Sequence, residues 1–325
     1  MKLTSPSRIH MGLIDLNGNL GRVDGGLGVA IDYPNFKIEG LESDEIEIDF
    51  KVKIEEKDKI DIERRILDSA RKVLSKIGEN GIKLTVNGVI PAHSGLGSGT
   101  QISLSTGKIT SLVYGHEINA ENLAKITGRG GTSGIGVASF EKGGYIIDSG
   151  HSFGIGKDKF DFQPSSVSEN VRPAPVIFRH DFNWDIVLTM PKGEQIYGER
   201  EVDMFKKYCP ILESETEKIC RIILMKMIPS VIENDLDSFG FCINELQKLG
   251  FKKAEVKLQS PAIKNMLEKL QKISYSGISS FGPTIYSLGD KKTIIEASNE
   301  YFDIHGIDGE IISTRANNTG FELTR

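Results

Sequence analysis

No apolar run in this chain approaches the roughly 18 to 20 residues that a membrane helix needs. The opening residues, Met1-Lys2-Leu3-Thr4-Ser5-Pro6, hold no apolar stretch of the kind a secretion signal carries. Cysteine is scarce: Cys209, Cys220 and Cys242 are odd in number and far apart. That excludes a disulfide framework, argues against a cysteine metal site, and reads as thiols of a reducing compartment. Basic excess is also missing. The formal net charge is −5, which excludes a general nucleic-acid binder, whose footprint would be positive. These absences predict a cytoplasmic protein with neither nucleic acid nor membrane as partner, which leaves small molecules.

The chain has 325 residues, enough for two core-bearing units. The pattern is α+β. Leu3–Leu13 and Gly28–Ile38 read as strands. Ile46, Ile48 and Phe50 alternate with Glu45, Glu47 and Asp49, the period-two signature of a half-buried strand. Between Ile60 and Ile77, residues Ile66, Ala70, Val73, Leu74 and Ile77 recur at helical spacing, and Gly78 stops the helix. The polar, proline-bearing stretch Pro164–Pro175 reads as a linker between units 1–163 and 176–325. In the second unit, helical patterns are expected at Glu199–Tyr208, Ser214–Met227, Ser230–Leu249, Pro261–Ile273 and Lys291–Phe302. Strands are expected at Trp184–Met190, Gly277–Phe281, Thr284–Leu288 and Glu310–Thr314.

The segment most charged with chemistry is Pro91-Ala92-His93-Ser94-Gly95-Leu96-Gly97-Ser98-Gly99-Thr100-Gln101. It joins a strand-like run to a helix-like run. Glycine lets backbone N–H groups approach an anion without a Cβ in the way. A helix then adds unpaired N–H donors and the positive end of its dipole. Residues Gly95 to Gln101 thus read as a phosphate cradle. No Gly-Lys-Ser/Thr closes it as in a Walker A loop, and the dinucleotide-binding spacing is absent too.

This segment resembles the second motif of the GHMP superfamily, the galactokinase, homoserine kinase and mevalonate kinase group. Ser276-Gly277-Ile278-Ser279-Ser280-Phe281-Gly282-Pro283-Thr284-Ile285-Tyr286 resembles its third motif. The resemblance implies an N-terminal domain like ribosomal protein S5 domain 2, a ferredoxin-like C-terminal domain, and a ligand in the cleft between them. A narrower resemblance rests on Ser7–Leu16, Gly21–Ala30, Gly143–His151 and Arg179–Phe182. These blocks are similar to those of the β-ribofuranosylaminobenzene 5′-phosphate synthase family. It implies a decarboxylating pentosyl transfer in methanopterin synthesis. An aromatic acid, 4-aminobenzoate or 4-hydroxybenzoate, joins phosphoribosyl pyrophosphate with loss of carbon dioxide and pyrophosphate. A homodimer is implied as well.

One departure from the kinases supports that reading. Many of them carry Ser-Gly-x-Asp, whose aspartate serves the acceptor hydroxyl. Here the run is Ser133-Gly134-Ile135-Gly136. Glycine has no group to take a proton. An ATP-dependent kinase and a non-catalytic ligand sensor of the same fold stay open as alternatives.

On this resemblance, Arg8, His10 and Arg22 are candidates for substrate contact and catalysis. Arg8 and His10 lie two apart on a strand and share a face. Ion pairs with Asp15 or Asp24, and a hydrogen-bonded core histidine, are the structural alternatives. Asp15, Gly25, Gly26, Ser133, Asp148, His151 and Gly282 are further cleft candidates, as are Arg179 and His180. Lys192 and Glu194 receive no role. Mg²⁺ is expected with a diphosphate substrate, and the hydroxyls of Ser98 and Thr100 are its candidate ligands.

Overall fold

A computed structural model of the protein describes residues 1–128, 134–164, 167, 171, 173–192 and 198–324. The first half forms a mixed sheet from β1 (Lys2–Asp15), β2 (Arg22–Leu41), β3 (Ile46–Phe50), β4 (Ile82–Gly88), β5 (Tyr145–Asp148), β6 (His151–Ser152) and β7 (Val176–His180). Four helices cover it: α1 (Glu56–Ile77), α2 (Ser98–Val113), α3 (Ala120–Thr127) and α4 (Gly134–Glu141). The second half contains β8 (Asp185–Pro191), α5 (Glu199–Tyr208) and α6 (Glu213–Ile222). A π-helical turn, Ile223–Met227, carries α6 into α7 (Ile228–Glu233). Then follow α8 (Leu236–Leu246), α9 (Gly250–Leu258), α10 (Pro261–Gln271), β9 (Tyr275–Ile278), β10 (Ile285–Leu288), α11 (Lys291–His305), β11 (Gly309–Arg315) and β12 (Glu322–Thr324).

The second sheet runs β11-β8-β10-β9, with every neighbouring pair antiparallel. Its strands, numbered from one, therefore stand in the order 4-1-3-2, the ferredoxin-like arrangement. Sheet membership does not follow the expected boundary. Strand β7 pairs with β5, and β12 pairs with β1, so both ends of the segment 176–325 join the first sheet. β7 follows the linker and returns to β5 before the chain crosses to β8.

The amphipathic helix predicted near Ile60 is α1, beginning a turn earlier at Glu56. Ile66, Ala70, Val73 and Leu74 are buried, and Gly78 caps the helix by donating its N–H to the Leu74 carbonyl. The alternating strand is β3, with Glu47 and Asp49 exposed and Ile46, Ile48 and Phe50 packed on the core. The pattern Ser230–Leu249 is two helices rather than one. Asn234 adopts φ 56°, and Asp235 caps α8 by accepting from the Ser238 N–H. Helix α9 escaped the periodic reading.

The free edge of β1 positions the site. β12 covers only Lys2 to Thr4 of that edge. Farther along, the Arg8 N–H bonds the Leu96 carbonyl at 3.1 Å, and the His10 N–H bonds the Ser279 hydroxyl at 3.0 Å. The Ser280 N–H returns a bond to the His10 carbonyl at 2.9 Å. An exposed strand edge must be paired or covered. Here the β4–α2 loop covers it from the first unit and the β9–β10 turn from the second.

Away from this edge, α8 crosses β9 closely at Gly240. A methyl group there would overlap the Tyr275 ring. Gly240→Ala is expected to cost roughly 1–3 kcal/mol of stability through overpacking, measured by urea unfolding, with the folded fraction keeping its turnover number.

Candidate active site

A cavity of about 400 Å³ opens between the two units, within the usual range for small-molecule pockets, about 300–1,000 Å³. One end is built on the first turn of α2. Gly97, at φ 79°, stands at the helix N-cap with no side-chain cap. The first intrahelical bond to form there runs from the Gln101 N–H to the Gly97 carbonyl. Ser98, Gly99 and Thr100 line the cavity, so the N-terminal donors of the helix face it.

Two guanidinium groups flank this turn. A Cβ on Gly97 would lie 3.0 Å from Arg8 Nε, and one on Gly99 would lie 3.1 Å from Arg65 Nη1. Both nitrogens are buried without a hydrogen-bond partner among the described residues. Arg8 donates instead through Nη1 to the Gly95 carbonyl at 2.7 Å, not to Asp15 or Asp24. Burial lowers its pKa to about 10, so it stays a cation at neutral pH, with Glu201 and Glu255 supporting the charge. Arg65 pairs with Asp61 at 2.6 Å. Bare backbone, a helix N-terminus and two arginines make a cradle for a polyanion.

His10 lines the cavity beside Arg8. Burial, then the charges of Arg8 and Lys252, hold its imidazole well below the usual pKa, so it is neutral. Across the backbone of Gly26 stands Asp148. Its Oδ1 accepts from the N–H groups of Gly26 and Gly150, both at 3.0 Å. A Cβ on Gly26 would meet Asp148 Oδ2 at 3.1 Å and His10 Nε2 at 3.4 Å. Asp148 is 4 % exposed, and burial raises its pKa to about 6. Carboxylates and the apolar side chains of Leu13, Phe205 and Phe281 line the rest. Phe251 packs behind the two phenylalanines, at ring separations of 4.5 and 5.9 Å.

Other candidates stand elsewhere. Arg22 is exposed and grips the turn after Asp148, donating to the carbonyls of Ser149 at 3.1 Å and Gly150 at 2.8 Å. It is not among the cavity-lining residues. It steadies Asp148 from outside because β2 and β6 pair at this corner. Asp15 caps a turn by accepting from the N–H groups of Asn17 and Gly18. Within the cradle segment, Leu96 packs into the core. Gln101 is also buried, accepting from the Ser5 hydroxyl at 2.6 Å and donating to the Gly136 carbonyl at 2.9 Å. A helix turns successive side chains through about 100°, so consecutive residues cannot all face one ligand. His151 is buried one layer back, its Nδ1 2.8 Å from Asp24. Gly282 lies in the β9–β10 turn, donating to the Ser279 carbonyl. Arg179 holds the Gly143 carbonyl at 3.1 Å and pairs with Asp181 away from the cavity. Ser133 and Glu194 fall outside the described residues.

Sequence reasoning missed Arg65, Asp24, Lys252 and Glu255. Asp24 adopts φ 69° and accepts from Lys159 at 3.0 Å. Lys252 and Glu255 form a buried ion pair on α9, and Lys252 also donates to the carbonyls of Ile278 and Ser280. Burial lifts the Glu255 carboxyl to about 7, partly offset by Lys252. Arg65 sits on an otherwise solvated helix flank and carries no sequence signal. Ser279 and Ser280 lay within the third motif.

Comparison with known proteins agrees with this architecture. The model of the GHMP kinases N-terminal domain matches residues 64–144, and that of the GHMP kinases C-terminal domain matches residues 227–305. The chain is 58% identical to a β-ribofuranosylphenol 5′-phosphate synthase of Methanocaldococcus jannaschii, covering 99% of this chain and 100% of that one. It is 43% identical to the enzyme of the same name from Methanothermobacter thermautotrophicus, over 98% and 97% of the two chains. Among solved structures, homoserine kinase from Cytophaga hutchinsonii superimposes with a TM-score of 0.65 at 15% identity, covering 99% and 96%. L. major mevalonate kinase with R-mevalonate gives 0.67 at 11% identity, covering 97% and 95%. These two establish the fold alone.

Gly97→Val strains a left-handed φ and strikes the Arg8 side chain. It should weaken diphosphate-substrate binding at least tenfold, by calorimetry, while the variant remains folded. Asp148 should also shape stability against pH. Its folded pKa, about 6, lies above the ordinary 3.8. The stability this group contributes is therefore full below 3.8 and lost as pH rises through about 6. Asp148→Asn removes that loss. Relative to wild type, its unfolding free energy should climb across this window, by about 3 kcal/mol at most, seen in urea midpoints measured at several pH values.

Proposed function

The chain belongs to the β-ribofuranosylphenol 5′-phosphate synthase family, and from that premise we propose that it joins phosphoribosyl pyrophosphate to 4-hydroxybenzoate, releasing carbon dioxide and pyrophosphate. The phenol in the relatives' name selects the hydroxy acid over the amino acid. The observation that carries the reading is the cavity itself. A polyanion cradle at α2 faces an apolar wall of Leu13, Phe205 and Phe281 across one small space. A diphosphate ester and an arene need that pairing.

The departing diphosphate lies on the α2 N-terminus between Arg8 and Arg65. Those donors stabilise charge as it builds on the leaving oxygens. The ring carbon bearing the carboxylate, held on the phenylalanine wall, attacks C1 of the ribose from the face opposite the leaving group. Loss of carbon dioxide restores the aromatic ring.

Mg²⁺ suits the cradle only as part of the substrate complex. Among the described residues, no group of three or more His, Cys, Asp or Glu side chains could hold a metal ion. The hydroxyls of Ser98 and Thr100 would hold the cation, which would supply charge neutralisation for the leaving group.

The test is stoichiometric. Purified protein with phosphoribosyl pyrophosphate, 4-hydroxybenzoate and Mg²⁺ should yield carbon dioxide and pyrophosphate in equal amounts, and chelation with EDTA should abolish both. Consumption of ATP with a hydroxylated acceptor, and no carbon dioxide, would overturn the reading.

A further inference from the structure

We propose that Asp148 is the general base of the reaction, taking the proton of the arene hydroxyl as the carbon–carbon bond forms and returning it after carbon dioxide has left. This rests on the reaction proposed above and assigns it a proton path.

The chemistry requires such a group. The hydroxyl lies para to the carbon that attacks. When its O–H bond breaks, that electron pair moves into the ring. The ring carbon then forms its bond to C1 of the ribose, and the bond from C1 to the diphosphate oxygen breaks. The product of this step is a neutral dienone that still bears the carboxylate on its tetrahedral carbon. The bond to the carboxylate breaks next. Its electron pair flows into the dienone, giving carbon dioxide and a phenolate. The phenolate takes the proton back, so no proton is consumed or released overall. Without the base, the adduct would form with positive charge on the hydroxyl oxygen, inside a cavity already holding Arg8 and Arg65.

The geometry selects Asp148. Oδ1 is anchored by two backbone N–H groups, while Oδ2 accepts no hydrogen bond among the described residues. Oδ2 borders the cavity beside Gly26 and near the start of α4, where a Cβ on Gly134 would meet it at 2.6 Å. Other carboxylates on the cavity wall are engaged: Asp24 with Lys159, Asp61 with Arg65, and Glu255 with Lys252, while Glu201, on α5, supports the charge of Arg8. Among the described residues, Asp148 has no cation bonded to it. Burial moves its pKa in the direction that brings it closer to a phenol, about 10. Neutral His10, across Gly26, can hold the arene without competing for the proton.

The experiment compares wild type with Asp148→Asn on two acids, 4-hydroxybenzoate and 3,5-difluoro-4-hydroxybenzoate. The fluorinated phenol is already ionised at neutral pH, so it needs no base. Its weaker ring nucleophilicity affects both enzymes alike and cancels in their ratio. Asp148→Asn should slow carbon dioxide release from 4-hydroxybenzoate by about 10²- to 10⁴-fold. With the difluoro acid the deficit should shrink at least tenfold. Asp148→Ser, smaller and without a carboxylate, is the second variant and should give the same contrast. Equal deficits on the two acids, or near wild-type rates on 4-hydroxybenzoate, overturn the assignment. No carbon dioxide from wild type with either acid overturns the reaction itself, and the assignment with it.

Discussion

The Gly95 carbonyl accepts two hydrogen bonds, one from the Arg8 guanidinium at 2.7 Å and one from the Ser279 hydroxyl at 2.8 Å. The same hydroxyl accepts from the His10 N–H at 3.0 Å. One carbonyl therefore ties β1, the β4–α2 loop and the β9–β10 turn together. The approach is close: at Gly95, φ 84°, a Cβ would overlap the Ser279 carbonyl. Glycine is needed there for both its conformation and its size. A hydrogen bond to a charged donor in a buried place contributes about 1.5–3 kcal/mol. Its larger effect is positional, since it fixes Arg8 beside the helix turn that its charge serves.

From that tie the charge pattern of the cavity follows. The positive end of α2 and two arginines gather at one side. Carboxylates line the rest, most of them paired. Burial raises the cost of every uncompensated charge. The cavity meets that cost by pairing Asp24, Asp61 and Glu255, and by leaving His10 neutral. Among the described residues, Asp148 is hydrogen-bonded by two backbone N–H groups alone, and burial raises its pKa. Perturbed groups of this kind concentrate where chemistry is done.

The sequence carried a good deal of this. The glycine spacing of 95–99 marked a bare backbone, and the structure has Gly95, Gly97 and Gly99 lining the cavity at a helix N-terminus. The period-two spacing of Arg8 and His10 placed them on one face, and both do line the cavity. The strand and helix periodicities gave β3 and α1, because each reports which side of an element meets the core. Helix α9 stayed hidden. It opens with a glycine directly after α8, and its charged residues Lys252 and Glu255 are buried against each other, so polar letters occupied core positions. A pattern that equates polar with exposed cannot find such a helix.

What the sequence determined by itself is therefore local: which segments are amphipathic, where the backbone must be bare, and that residue 136 offers no carboxylate. Its resemblance to a known family extended this to fold and reaction class. Tertiary structure alone decided which charged groups converge. Arg22 and Asp15 lie in the same glycine-rich neighbourhood as Asp24 and Gly26, yet the first grips a surface turn and the second caps one. Asp148 and Gly26 are 122 residues apart and bonded, while Arg8 and Gly95 are separated by 87. Such distances in sequence carry no periodic signal. They are closed by sheet pairing, because β2 lies between β1 and β5 and so brings Arg8, Gly26 and Asp148 to one side of the cleft.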